Sequence, residues 1–300
     1  MEIHQAHFFS RKFSQNHYVS FSFGHIPDQN NIDNFIYQDL NYAWIKFALD
    51  NNLTFKSYIN APTLNYSFIT KQAEDWKRLI SSPHGYLLSM NHWIIDWAIK
   101  QGLPSNKMSY IGGGINIDIT RVNRSNKAPA RFCFVGKDFE RKNGPLVVQA
   151  FEMLHKKHPE TELLIAGPNA NPCPGVEGII FLGQVPFSQV SDIFNSSSFF
   201  ILPSLFEGYG LVFNEALSFG LPCIGNNILE MPYFIQEDRN GYLLKHQNAE
   251  ELSSLMEKCL GNEQLLKNTW NSRENIIREN SWNAVGKRAF DAIQEWEKKH

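Results

Sequence analysis

Between residues 131 and 260 the chain repeats one rhythm, short apolar runs bounded by glycine or proline alternating with amphipathic stretches. The runs are R-F-C-F-V-G (131–136), E-L-L-I-A-G (162–167), G-I-I-F-L-G (178–183), F-F-I-L-P (199–203), L-P-C-I-G (221–225) and G-Y-L-L (241–244). Pro145 to His158 carries Val147, Val148, Phe151 and Leu154 on one side. Asn248 to Leu260 does the same with Leu252, Leu255, Met256 and Leu260. Apolar residues three and four apart mark helices. Strands that are apolar throughout must be buried on both faces, and their alternation with helices gives a parallel sheet covered on two sides. The pattern therefore predicts a doubly wound α/β domain.

The first half has a thinner version of the same rhythm. Strands are expected at 18–23, 34–37, 54–59, 85–90 and 107–112, with helices over 40–50, 64–80 and 91–102. No G-x-G-x-x-G follows a first strand, so nothing marks a dinucleotide site there. The polar stretch R-V-N-R-S-N-K-A-P-A (121–130) has no period and reads as a linker. Residues 263–300 read as two helices, the second starting near Ser281-Trp282. A chain of 300 residues suits two domains. The expected division is 1–122, 123–280, and a last helix at 281–300 that packs back toward the first domain.

Composition excludes several classes. Apolar residues at 43% and charged ones at 19% fit a globular protein. A net charge of −2 with no basic block argues against nucleic acid as a partner. Cys133, Cys173, Cys223 and Cys259 form no C-x-x-C, which suggests a reducing compartment. The N-terminus has no signal-peptide core, and no apolar run reaches about 18 residues. The expected location is cytoplasmic, with peripheral contact at the inner membrane face left open.

The most informative stretch is S-L-F-E-G-Y-G-L-V-F-N-E-A-L-S-F-G (204–220). It follows an apolar strand, so its loop sits at a carboxyl strand end, where open α/β sheets bind ligands. Gly208 and Gly210 allow close backbone approach, and a helix start offers N–H groups and partial positive charge to a phosphate. Glu207 and Glu215 flank the glycines. Beside a phosphate site, a carboxylate suits sugar hydroxyls. The plainer reading is a helix-start carboxylate and a solvated helix residue.

F-V-G-K-D-F-E-R-K-N-G (134–144) is the second cluster. Gly136 ends the first strand of this domain, placing Lys137, Arg141 and Lys142 at the same carboxyl edge. Cations there suit a diphosphate and its development as a leaving group; a charged surface loop is the plainer alternative.

Together V-G-K-x-x-x-x-K-N-G, L-L-I-A-G-P, F-L-G-Q-V and the E-x7-E segment resemble the retaining GT-B glycosyltransferases of family 4, the group 1 family, over about residues 131–246. The resemblance implies two Rossmann-like domains facing a cleft and a nucleotide-diphospho-sugar held mainly by the second. Glu215 matches the glutamate on the donor ribose, and Glu207 the one on the transferred sugar. Lys137, in a place usually held by arginine, and Lys142 match the diphosphate cations. The change to lysine at 137 keeps the charge but loses the bidentate fork. Gly136, Gly208, Tyr209, Gly210 and Leu211 match the donor-cradling backbone.

In the first half, F-I-Y-Q-D-L (35–40) and residues 86–116 are similar to segments of the family's N-terminal domain, whose Gly-rich opening strand is absent. A shortened N-terminal domain is therefore expected. Asp39 and His25 are the acceptor-side candidates, against a helix N-cap at Gln38-Asp39 and a plain loop histidine. The implied activity is transfer of a sugar to a saccharide or lipid-linked acceptor hydroxyl with retention, in polysaccharide or glycoconjugate synthesis. The alternative is a donor-binding but incomplete subunit that needs a partner chain, such as another glycosyltransferase. No cofactor is expected. No metal is expected either: the chain has no D-x-D, and the family needs no divalent ion.

Overall fold

In a computed structural model of the chain, residues 9–14, 17–23, 32–53, 65–123 and 128–299 are described. The chain divides into two compact units. One comprises Met1–Gly113 with Trp282–His300, the other Gly114–Ser281.

The first unit contains a five-stranded sheet in the order β1-β2-β3-β4-β5. β1 (Phe9–Ser14) pairs antiparallel with β2 (His17–Phe23). β3 (Asp33–Gln38), β4 (Gly85–Ser89) and β5 (Met108–Tyr110) continue in parallel. Every residue of β3 and β4 is buried, as a strand covered on both faces requires. α1 (Tyr42–Asp50) and α2 (Tyr66–Ser81) connect β3 to β4, and α3 (His92–Lys100) connects β4 to β5. Each starts at an asparagine whose side chain accepts from the first turn: Asn41 from Trp44 N, Asn65 from Ser67 N and Asn91 from Ile94 N. Asparagine is among the best residues for that task. The expected strand at 54–59 lies outside the described residues.

The second unit is a six-stranded, wholly parallel sheet. Along the chain run β6 (Arg131–Val135), α4 (Gly144–Lys157), β7 (Glu162–Ala166), β8 (Ile179–Gly183), α5 (Val190–Ser196) and β9 (Phe199–Leu202). There follow α6 (Leu211–Ser218), β10 (Cys223–Asn226), α7 (Met231–Phe234), β11 (Gly241–Leu244), α8 (Ala249–Cys259) and α9 (Glu263–Glu279). The strand order is β8-β7-β6-β9-β10-β11. Three strands are laid outward in one direction and three in the other, so the order reverses between β6 and β9. That is a topological switch point, where crossovers leave on opposite faces and open a crevice at the carboxyl ends. Phe132 and Phe199 pair across this junction, Cys133 opposite Phe200, all fully buried.

The stretch expected to be a linker belongs largely to this unit. Arg121 donates to Asp192 at 2.6 Å, Asn195 Nδ2 donates to the Arg121 carbonyl at 2.7 Å, and Asn123 N donates to Asn195 Oδ1 at 2.8 Å. These bonds tie residues 121–123 to α5, and the division falls earlier, at Gly113/Gly114.

The final helix, α10 (Trp282–Glu297), belongs to the first unit. Trp296 is buried among Phe35, Tyr86 and Lys107, with ring centroids at 6.2 and 5.3 Å and the Lys107 Nζ 3.9 Å over the indole. Its Nε1 donates to Asp33 at 2.9 Å. Burial pushes the Lys107 ammonium below its ordinary range, with the Asp33 charge acting the other way. Trp296→Ala is expected to cost about 3–5 kcal/mol, read as a lower urea midpoint. Among the described residues no helix is long and apolar enough to cross a membrane.

Candidate functional site

The loop after β6 coils tightly. Lys142 N donates to the Asp138 carbonyl at 3.0 Å, Asn143 N to Glu140 at 2.9 Å and Gly144 N to Phe139 at 2.8 Å. This turn sends the Lys142 side chain back across the end of β6. A Cβ on Gly136 would stand 2.0 Å from Lys142 Cδ. Only glycine at 136 leaves the lysine stem room to lie there.

The loop after β9 meets it from the other side of the switch point. Lys142 Nζ donates to Glu207 Oε1 at 2.7 Å, and Ser204 Oγ donates to the same oxygen at 2.9 Å. Arg141 Nη1 stands 3.3 Å from it and donates to the Phe206 carbonyl at 2.6 Å. The backbones are tied as well, Leu205 N donating to the Arg141 carbonyl at 2.9 Å. Asn226, at the end of β10, donates its amide to the Pro203 and Ser204 carbonyls. The Lys142 and Glu207 side chains keep only 12% and 11% of their exposure.

Burial by itself pushes the Glu207 carboxyl up. The Lys142 and Arg141 charges and the bonds from Lys142 and Ser204 outweigh it, and the net position is below the ordinary glutamate value. A carboxyl whose folded pKa is depressed stabilises the fold above its unfolded value of about 4.3, and that stability is lost as pH falls through the folded value. Glu207→Gln should remove this component. Urea midpoints followed from pH 7 to pH 3 then fall less steeply for the variant than for the natural protein.

Next to this cluster α6 begins at Gly210, whose φ of +96° is the left-handed conformation that glycine adopts freely. No side chain caps that helix start. Gly208 and Leu211 are half-buried, while Tyr209 is buried against the Phe234 ring at 5.0 Å. Asn214 bridges the turn to the end of α9, its amide 3.2 Å from both Tyr209 Oη and Asn280 Oδ1.

Glu215 lies in the second turn of α6 and is 5% exposed. The reading of it as a solvated helix residue is thereby set aside. Burial raises its pKa, and a hydrogen bond from the Asn116 backbone pulls it the other way.

The structure thus brings Glu207 and Lys142 into contact and puts Gly208, Tyr209, Gly210, Leu211 and Glu215 on the adjoining turn and helix. Lys137 is exposed, on the loop that carries Lys142 but outside the ion-pair cluster. Asp39, in the first unit, is half-buried, and its carbonyl accepts from the Asn91 amide at 2.6 Å. It does not cap α1; Asn41 does. His25 lies outside the described residues. The sequence marks Arg141 only as one more cation of the loop; it does not show Arg141 as a brace on Glu207 and the loop backbone, nor the parts of Ser204 and Asn116. Ser204 stands three residues before Glu207, a spacing at which short side chains reach back to a neighbour. Asn116 left no signal, being 99 positions from Glu215 in the chain.

A family model for glycosyl transferases group 1 matches residues 116–280. The chain belongs to that family. The match falls within the second unit and includes both loops of the cluster. A Klebsiella pneumoniae relative described as an uncharacterized 41.2 kDa protein in a cps region is 20% identical, over 79% of this chain and 69% of its own length. Four other curated relatives are matched over only 30–48% of their length. Among solved structures, the lipopolysaccharide outer core galactosyltransferase WaaB in its apo form superposes with a TM-score of 0.63. That match is 16% identical and covers 89% of this chain and 69% of that one. Anabaena HepE in complex with UDP gives 0.64 at 13% identity, over 88% and 79%. These likenesses show the fold of this group 1 glycosyltransferase to be GT-B, with two Rossmann-like domains.

Proposed function

We propose that the protein transfers a sugar from a nucleotide-diphospho-sugar to an acceptor hydroxyl with retention at the anomeric carbon, in the assembly of a polysaccharide or glycoconjugate. The observation that carries this reading is the Lys142–Glu207 contact at the β6/β9 switch point, beside a helix that starts uncapped at a left-handed glycine. It supports the reading because cations and amide N–H groups there suit a diphosphate, and carboxylates suit hydroxyls.

In this proposal the Gly208–Leu211 backbone and the α6 dipole take the diphosphate, joined by Lys142 and by the exposed Lys137. Glu215 accepts from the ribose hydroxyls, and Glu207 from a hydroxyl of the transferred sugar. An ammonium has three donors. Lys142 can therefore keep its bond to Glu207 and still donate to a phosphate oxygen.

In the transfer, the bond from the anomeric carbon to the β-phosphate oxygen breaks while the acceptor oxygen bonds to the same face. The acceptor proton passes to the departing phosphate, whose charge Lys142, Lys137 and the amides hold. Cations and dipoles carry the leaving charge, so the proposal assigns no metal, and no side chain is needed as base.

The test combines thermal shift with a turnover assay across UDP- and GDP-sugars. UDP-sugars come first, because a solved neighbour of this fold holds UDP. A donor at a hundred times its Kd adds about 2.7 kcal/mol of apparent stability. If no nucleotide or nucleotide-sugar shifts the melting temperature, the site assignment is wrong. Binding without turnover instead favours a donor-binding subunit that needs a partner chain.

A further inference from the structure

A second concavity of the second unit has no part in the proposed transfer. It is a cavity of about 610 Å³ between α9 and the segment that leads into β11, within the range of small-ligand sites. Asn240 immediately precedes Gly241, the first residue of β11. The cavity therefore lies at the amino end of that strand, the opposite rim from the carboxyl ends that carry Lys142 and Glu207.

Its lining is mostly amide, with Ser272 and Ile276 beside it. Gln236, Asn240, Asn268, Asn271 and Asn275 contribute carboxamides, and Arg239 contributes the one charge; no carboxylate lines it among the described residues. A carboxamide offers two donors and an acceptor with two lone pairs, which matches a hydroxyl that both gives and takes a hydrogen bond. Asn240 is fixed in place, its amide donating to the Phe234 carbonyl at 2.9 Å and its oxygen accepting from Gln236 N at 2.7 Å. Each end of that amide still has one bonding position to offer.

The helix contributing the other wall breaks a local rule. α9 places asparagines at 268, 271 and 275, on one face and through its interior. Asparagine is a poor helix former because its side chain competes for the backbone. Asn268 Oδ1 accepts from Gln264 Nε2 at 2.6 Å and Asn275 Oδ1 from Arg278 Nη2. These bonds use the amide oxygens and leave the Nδ2 donors, and a row of such donors on one face is what a binding role explains.

We propose that this cavity is a saccharide site that selects an acidic sugar, the amides taking ring hydroxyls and Arg239 the carboxylate. The lining defines the ligand chemistry; the link to a glycan that the enzyme extends rests on the transfer reading above. The site gives the protein a hold on the glycan away from the bond being made.

The experiment is calorimetric titration of the whole chain with cellobiuronic acid and with cellobiose, each run in parallel with UDP. Cellobiuronic acid is expected to bind at least tenfold more tightly than cellobiose. Arg239→Ala should abolish that preference without changing cellobiose binding, and Arg239→Lys should retain it. Asn268→Ala combined with Asn271→Ala should lose both disaccharides. Arg239 and Asn271 are exposed and Asn268 is half-buried, so the variants should keep the melting temperature of the natural protein and its UDP binding. Lys142→Ala should leave disaccharide binding intact. The proposal falls if cellobiuronic acid does not bind, if Arg239→Ala leaves the preference, or if Lys142→Ala removes disaccharide binding. The UDP arm reports separately on the donor site, so failure of one reading is distinguishable from failure of the other.

Discussion

Lys142→Met is expected to lower turnover by about a hundredfold or more, the scale seen when one preorganised charge-stabilising donor is removed. It should also cost about 3 kcal/mol of stability, because it strands Glu207 in a site where only about a tenth of the side chain reaches solvent. Arg141 and Ser204 still touch Glu207 Oε1, which puts the loss at the low end for a broken buried pair. The two effects can be separated. Adding Glu207→Gln to Lys142→Met removes the stranded charge, so the stability of the double variant should recover while turnover stays low. Such neighbours are strongly non-additive. A double variant as unstable as Lys142→Met alone would mean that the lysine acts through packing and not through charge.

Glu215→Gln should have the opposite character. Burial holds the Glu215 carboxyl above its ordinary range. A carboxyl raised in this way favours folding below its unfolded value, and the benefit is lost as pH rises through the folded one. Burial therefore penalises the charged form of Glu215 in the free protein, and the neutral amide should melt higher as pH rises. In the proposed donor complex the order should reverse. A hydrogen bond to a charged group contributes about 1.5–3 kcal/mol, so replacing the carboxylate is expected to raise the Kd for UDP about ten- to a hundredfold. Calorimetry and thermal melts on one preparation check both halves. A lower melting point with unchanged UDP affinity would make Glu215 a structural residue.

Most of the second unit could be read from the chain, because its strands are continuous apolar runs and the turns at their carboxyl ends are marked by glycine. Gly136, Gly210 and the glutamate pair are local features, visible without knowing what packs where. The bracing of Glu207 was only partly visible. Arg141 acts across a gap of about 65 positions, and nothing in a charged loop says which cation will turn inward. α5 and α7 escaped because seven and four residues are too few to show a period. In the first unit, β1 (F-S-R-K-F-S) has no continuous apolar run in its sequence, and the cap of α1, Asn41, lies two positions after the Asp39 of the expected cap. Residues 121–123 look like a tether because they are polar, yet their bonds to α5 make them part of a folded body.

The placement of Trp296 has a consequence for how the molecule is made. A ribosome releases the chain from its amino end, so strands β3 and β4 emerge long before the indole that seals Phe35 and Tyr86. The middle unit, continuous in the chain, can close while synthesis is still under way. The flanking unit must wait for α10, more than 190 positions after β4, and the apolar faces of Phe35 and Tyr86 stay open in the meantime. A nascent protein of this design is therefore most exposed to aggregation, and most in need of chaperones, in the interval between the emergence of β4 and that of α10.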